Sequence, residues 1–210
     1  KKSVIILKEQ NVQTILGGVE IKSKMEYYME YYIDEKYIYN GNDKERFVLG
    51  EVTGPNPLIC FGVNPSTAKV QNGALKTDPT ILKIKKFVEK RNCDGWIMLN
   101  LYAQVTPEPN ELHKNEDFDN CLHKKNINKI KEIFKNYPNT DILACWGNLI
   151  EKRDYLKKLC LKEIFEISEK DIKWLYIGNL TKKGNPRHPL YATIDTNLEV
   201  FNIKDYIKNL

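Results

Sequence analysis

The chain has 210 residues, a formal net charge of +5, and 41% hydrophobic against 29% charged side chains. That length suits one domain with a sizeable core, and no apolar run approaches the ~18 residues that would cross a membrane. No signal-peptide core opens the sequence, so a cytoplasmic protein is expected. The positive balance tolerates an anionic partner without demanding one, because most lysines are expected on solvated helix faces beside glutamates. The five cysteines are odd in number and form no C-x-x-C, which reads as reduced packing cysteines rather than disulfides or metal ligands.

Val4–Leu7 and Thr14–Ile21 read as short strands. Met25, Tyr28, Met29 and Tyr32 have the spacing of a helix face, but Met25, Tyr27, Met29, Tyr31 and Ile33 fit a strand as well. Asn40-Gly41 is a turn signal between Tyr37–Tyr39 and Arg46–Gly50, which predicts a β-hairpin leading into the core. Gly54–Pro57 then turns into Leu58–Phe61, four consecutive apolar residues that read as a strand buried on both faces. Gly62 breaks this strand, Asn64-Pro65 turns it, and Ser66 or Thr67 can cap the next segment. Lys69–Lys76 reads as a polar loop. Asp78 is placed to cap a helix over Pro79–Lys90, whose inward face is Ile81, Ile84, Phe87 and Val88.

Trp96–Leu99 reads as a second buried strand with Asn100 at its exit, followed by an irregular segment over Gln104–Asn115. A helix is predicted over Phe118–Phe134 and is broken by Tyr137-Pro138-Asn139. Asp141–Trp146 reads as a third strand released at Gly147, and Leu149–Leu161 as a lysine-rich helix. Ile164–Ile167 and Trp174–Ile177 are further strand candidates, and a short helix closes the chain. Strands alternating with helices in this way predict a three-layer α/β/α fold with a mostly parallel central sheet. We expect one domain over residues 1–210: an N-terminal β-hairpin extension (1–45), a core (46–192) and a C-terminal segment (193–210).

The sequence lacks G-x-G-x-x-G, G-x-x-x-x-G-K-[ST] and G-x-S-x-G, which disfavours a Rossmann cofactor site, a P-loop and a hydrolase elbow. The three histidines lie far apart, so no metal centre has obvious ligands and no cofactor is expected. What remains is a set of polar residues at strand exits: Asn64, Asn100, Trp146-Gly147, and His188 between Pro186 and Pro189. Strand exits in open α/β sheets converge on one cleft. This one would hold amides to orient, one imidazole and no carboxylate pair, with Asp78 nearby and Lys183 and Arg187 adding positive charge. Such a set suits cleavage in which charge builds on a heterocyclic leaving group, rather than peptide or phosphoester hydrolysis.

Asn64–Ala68 (N-P-S-T-A), Asp78–Thr80 (D-P-T), Asn100–Ala103 (N-L-Y-A), Trp146-Gly147 and Pro186–Leu190 (P-R-H-P-L) together resemble the motifs of an uncharacterised bacterial domain-of-unknown-function family. More distantly, the same order resembles the uracil-DNA glycosylase superfamily. Gly62–Pro65 is similar to its water-positioning motif, Met98–Asn100 to its base-reading strand, and Arg187–Tyr191 to its last motif, although H-P-L-Y stands here for the usual H-P-S-P. The resemblance implies a uracil-DNA-glycosylase-like fold and a metal-free DNA glycosylase, or a related N-glycosidic hydrolase, acting as a monomer on a base flipped from DNA.

The resemblance further implies Asn64, His188 and Asp78 as catalytic groups. Gly62, Val63, Pro65, Ser66 and Asn100 would line the substrate pocket, with Tyr102, Trp146 or Phe61 as the stacking aromatic. Lys182, Lys183, Arg187 and Arg153 would clamp DNA phosphates. Two other readings use the same cleft: a hydrolase of free nucleosides or nucleotides, and a nucleic-acid-binding module without chemistry.

Overall fold

The computed structural model describes residues 4–8, 28–32, 37–71, 74–138, 140–168 and 172–209. The first strands are β1 (Val4–Lys8), β2 (Tyr28–Tyr32), β3 (Tyr37–Gly41) and β4 (Arg46–Val52), which pair antiparallel in sequence order. The expected hairpin is thus β3–β4, and Tyr28–Tyr32 takes the strand alternative. The expected strand over Thr14–Ile21 lies outside the described residues.

Next come β5 (Leu58–Gly62) and a separate hairpin of β6 (Lys69–Gln71) and β7 (Ala74–Lys76), where a loop was expected. The main sheet continues with β8 (Gly95–Asn100), β9 (Ile142–Ala144), β10 (Trp174–Ile177) and β11 (Leu198–Val200). Its order is β1-β2-β3-β4-β8-β5-β9-β10-β11. The four strands β8, β5, β9 and β10 are mutually parallel, while β4 and β11 flank them antiparallel. The sheet is therefore mixed, parallel only at its centre.

Every residue of β5 is buried, and alternate side chains serve opposite faces. Leu58 and Cys60 join α1 (Pro79–Lys90), through Ile81, Ile84, Phe87 and Val88. Ile59 and Phe61 join α2 (Asn120–Asn136), through Ile127, Ile130 and Phe134, and α3 (Lys162–Ile167), through Ile164. These two cores, one on each side of the sheet, make the three layers. The last helix, α4 (Ile203–Lys208), adds Ile203 to the α2 side.

Local chemistry explains the helix ends. Asp78 caps α1 by accepting from the Ile81 N–H at 2.9 Å, and Asp119 caps α2 by accepting from the Leu122 N–H at 2.9 Å. The lysine-rich stretch is not one helix. Gly147–Lys152 is 3₁₀, the chain breaks at Arg153, and Leu156–Leu161 is a wider π-type turn running into α3. Ile164–Ile167 is therefore helical, not a strand, because Leu156, Cys160 and Ile164 recur every four residues and bury one face.

From β5 the chain passes through α1 to β8 on one side, then through α2 on the opposite face to β9 on the other side. Connections that diverge this way mark the region beyond the carboxyl ends of β5 and β9 as the place where open α/β sheets form their ligand crevice. Among the described residues, no helix is long and apolar enough to cross a membrane.

Phe61 joins the strands to the α2 layer, its ring 6.3 Å from that of Phe134 and 5.8 Å from that of Trp174. Phe61→Ala is expected to cost about 3–5 kcal/mol, read as a lowered urea midpoint with an unchanged slope.

Candidate functional site

Glycine at position 62 is dictated by its neighbours. A Cβ there would stand 2.7 Å from Met98 Cε and 3.1 Å from Asn100 Oδ1. The Asn100 side chain thus packs against the bare backbone of β5, on the α1 side of the sheet. It is 1% exposed, and neither its Oδ1 nor its Nδ2 has a partner. From the other side, Asn126 on α2 donates to the Asn100 carbonyl at 2.9 Å and fixes the strand end.

The β5 and β8 exits stay in register past their last strand residues. Leu101 N–H donates to the Gly62 carbonyl and Tyr102 N–H to the Val63 carbonyl, both at 2.9 Å. Asn64 then closes the turn. Its Nδ2 donates to the Pro65 carbonyl at 2.9 Å and the Thr106 carbonyl at 2.8 Å. Two carbonyls facing one end of the amide fix that end as the NH₂, so Oδ1 is the acceptor left over. The Thr106 N–H also donates to the Pro65 carbonyl at 3.0 Å, so Pro65 ties the loops from both directions.

At the β9 exit the constraint is again a glycine. Gly147 has φ +58°, and a Cβ there would meet His188 Cβ at 3.2 Å. Its N–H donates to the Pro186 carbonyl at 3.0 Å, seating the His188 loop on the strand exit. His188 Nδ1 accepts from the Leu190 N–H at 3.3 Å and caps a short turn over Pro189–Tyr191. A neutral ring whose Nδ1 accepts must carry its hydrogen on Nε2. Burial pushes the His188 pKa down, and the negative charge of Asp78 opposes part of that shift.

Asp78 is therefore both the cap of α1 and a charge at the site. It also acts on Arg46, a residue that the motif reading passes over. Arg46 is 3% exposed; its Nη1 donates to the Ala68 carbonyl, and its Nε has no partner. Burial pushes its pKa down to about 10, with Asp78 and Tyr39 acting in the opposite sense. The available signal was an arginine opening the otherwise apolar Phe47-Val48-Leu49 run of a buried strand.

Residues 46–190 match the family described as "Protein of unknown function (DUF1643)". The chain belongs to this family. No curated protein and no solved structure matches it. The matched span opens on Arg46 and closes on Leu190, so it holds Arg46, Asn64, Asp78, Asn100 and His188, while β11 and α4 lie beyond it.

Other expected site residues stand elsewhere. Tyr102, Trp146 and Phe61 are fully buried, so none offers a ring face for stacking. The Tyr102 hydroxyl lies 2.7 Å from His113 Nδ1 and accepts from the Asp119 N–H at 3.1 Å; Trp146 packs among Trp174, Phe201 and Tyr206. Arg153 is committed to the loop below it, donating to the carbonyls of Asn110, Leu112 and His113. Lys183 pairs with Glu151 at 2.7 Å, and Arg187 Nε donates to the Asn179 carbonyl at 2.7 Å. Lys182 is exposed. Ser66 is half-buried and Thr67 exposed, and both face the cavity beside Arg46.

A second constellation has the order of a nucleophile, base and orienter. His123 Nδ1 lies 3.5 Å from Cys160 Sγ, and its Nε2 lies 2.8 Å from Glu163 Oε2. Cys160 is fully buried and burial pushes its thiol pKa far up, which makes this a core network rather than a reactive thiol. Among the described residues, no three His, Cys, Asp or Glu side chains gather at metal-ligand spacing.

The imidazole resonances of His188 should titrate below the ordinary 6.5. Asp78→Asn should lower the value further, because it removes the charge that favours imidazolium. With the folded pKa depressed, the neutral ring's contribution to stability is full above 6.5 and is lost as pH falls through the folded value. Titration at or above 6.5 in the wild-type chain would mean a solvated ring.

Proposed function

We propose that this chain is a glycosylase-like hydrolase that cleaves the N-glycosidic bond of a base flipped out of DNA, without a metal. The observation that carries the reading is the placement of Asn64 and His188 at the exits of the adjacent strands β5 and β9. One presents a free amide oxygen, the other a neutral Nε2–H donor. Neighbouring strands run about 4.8 Å apart, so a ligand held between the β5 and β9 exits would be within reach of both groups.

In this reading a water donates a hydrogen bond to Asn64 Oδ1 and attacks the sugar carbon. The carbon–nitrogen bond breaks with its electron pair going to the base, and the water's proton passes to solvent. His188 Nε2–H donates to the base as negative charge builds, which stabilises the transition state more than the ground state. A neutral donor suits this role, since it gains most when its acceptor becomes an anion. Asn100, with an unpartnered donor and acceptor, would read the base edge, which requires the packing around its buried side chain to open. Extracting a base from the stack costs a few kcal/mol, which contacts from the basic segment Lys182–Arg187 would help offset.

The motif resemblance to the uracil-DNA glycosylase superfamily and the three-layer arrangement support this reading. A second reading, hydrolysis of a free nucleoside or nucleotide, draws on a different observation. Arg153, Lys183 and Arg187 already have partners in the protein, which leaves a thin basic surface for a duplex.

Asn64→Ala and His188→Ala should each slow single-turnover base release by about 10²–10³, or roughly 2.7–4 kcal/mol, with equilibrium DNA binding nearly unchanged. Release should persist in EDTA. Intact rates in both variants would remove the mechanism, and equal losses of rate and affinity would make the pair binding groups only. Activity lost to chelator and restored by a divalent ion would replace this chemistry with a metal-assisted one.

A further inference from the structure

Beside the crevice, a cavity of about 290 Å³ opens between the start of β4, the Ser66–Lys69 segment and the end of β7. Arg46 lines it as a buried cation. A guanidinium carries five N–H donors and cannot shed its charge at neutral pH, so a buried one is expected to meet a carboxylate or phosphate. Among the described residues, no carboxylate forms an ion pair with Arg46. Its Nε has no partner in the protein, and its Nη1 reaches only the Ala68 carbonyl.

The rim carries the matching chemistry. Ser66 and Thr67 line the cavity with hydroxyls that have no protein partner among the described residues. Lys76 stands at the edge, also without an ion pair there, and Lys69 pairs loosely with the exposed Asp43 at 3.4 Å. Among the described residues, Asp43 is the one carboxylate on the wall, and it is 91% exposed and turned toward Lys69. Asp78 acts on Arg46 only through its field.

We infer that this cavity is a phosphate-binding subsite, in which Arg46 supplies the buried charge and Ser66, Thr67 and Lys76 complete the donor set. The bound group is a phosphate mono- or diester, carried by a nucleotide or by a nucleic-acid strand. The subsite adjoins the crevice through one loop. Asn64 holds the Thr106 carbonyl, and Val105 and Pro107 on either side of Thr106 line the cavity. The cavity and Asn64 are therefore joined through the Val105–Pro107 loop. The inference stands on Arg46 and its surroundings and does not need the glycosidic chemistry.

The test is titration calorimetry of the full chain with inorganic phosphate, a deoxynucleoside 5′-monophosphate and a short single-stranded oligonucleotide, with chloride as the control anion. Phosphate should bind the wild-type chain. Arg46→Lys should weaken it about tenfold or more, since a point charge does not reproduce the fork of donors. Arg46 is buried and its replacement can harm folding, so Lys76→Glu provides a second test at an exposed rim position and should weaken phosphate while leaving the melting curve intact. Mononucleotide binding stronger than phosphate, with no further gain from the oligonucleotide, identifies a free nucleotide; a further gain identifies a strand. No binding at millimolar phosphate, or equal binding by wild type and Lys76→Glu, would overturn the subsite. Base release without phosphate binding would sink this inference alone, whereas phosphate binding without base release would sink only the glycosylase reading.

Discussion

The candidate site depends on β5 having no solvated face. Its five residues are buried, with β8 and β9 on its edges, α1 on one face and α2 on the other. A strand in that position can be left only at its ends. The chain goes from it first to one side and later to the other, which places the usual ligand position of an open α/β sheet beyond the carboxyl ends of β5 and β9. The two glycines at that level reflect the same crowding. Gly62 admits Asn100 against the strand, and Gly147 admits His188 against the neighbouring exit.

Within this frame, one carboxylate acts on two groups whose charged forms burial disfavours. Desolvation disfavours the charged forms of both Arg46 and His188, and Asp78 opposes it for each. Asp78 holds its place because its Oδ1 accepts from the first turn of α1, where the helix dipole favours negative charge. The capping role and the electrostatic role therefore reinforce each other. A group that fixes the start of a helix is also rigid enough to act on its neighbours with constant strength. It leaves Arg46 cationic and His188 predominantly neutral near neutral pH, a complementary pair of an anion anchor and an uncharged donor.

Much of this was legible in the residues. The Leu58–Phe61 run and the Asp78-Pro79 start of α1 carry strong local signals and stand where expected, whereas β9 ends at Ala144, before Gly147. What was missed depends on tertiary context. Ile164–Ile167 is too short to separate helix from strand by content, and only the four-residue recurrence from Leu156 decides it. Tyr102 and Trp146 come just after polar strand exits and so read as site walls, but which way a large ring turns is set by packing against Phe118 and Tyr155 and against the C-terminal segment. Arg46 left no motif at all. A charge in a β-strand is ordinary until both faces are known to be buried, and that knowledge comes only from the sheet order.

Unpartnered buried atoms do not by themselves mark a site, since Asn126 Oδ1 and Thr140 Oγ1 also lack partners. The indole nitrogens of Trp96 and Trp174 also lack partners, but each belongs to a large ring whose apolar burial far outweighs one lost hydrogen bond. Asn100 and Arg46 have little such compensation. An amide with both ends unmatched, and a guanidinium with an idle Nε, weaken a fold that an apolar residue of similar size would strengthen. Both lie on the α1 side of the sheet, at the level where β5 and β8 end, bordering the loops that Asn64 draws together. Each leaves recognition chemistry unused beside the same loops, and on the proposed reading a ligand would supply the missing partners. The amide offers a donor and an acceptor, as recognition of a heterocycle edge demands, and the arginine offers the fixed charge that an attached phosphate would neutralise.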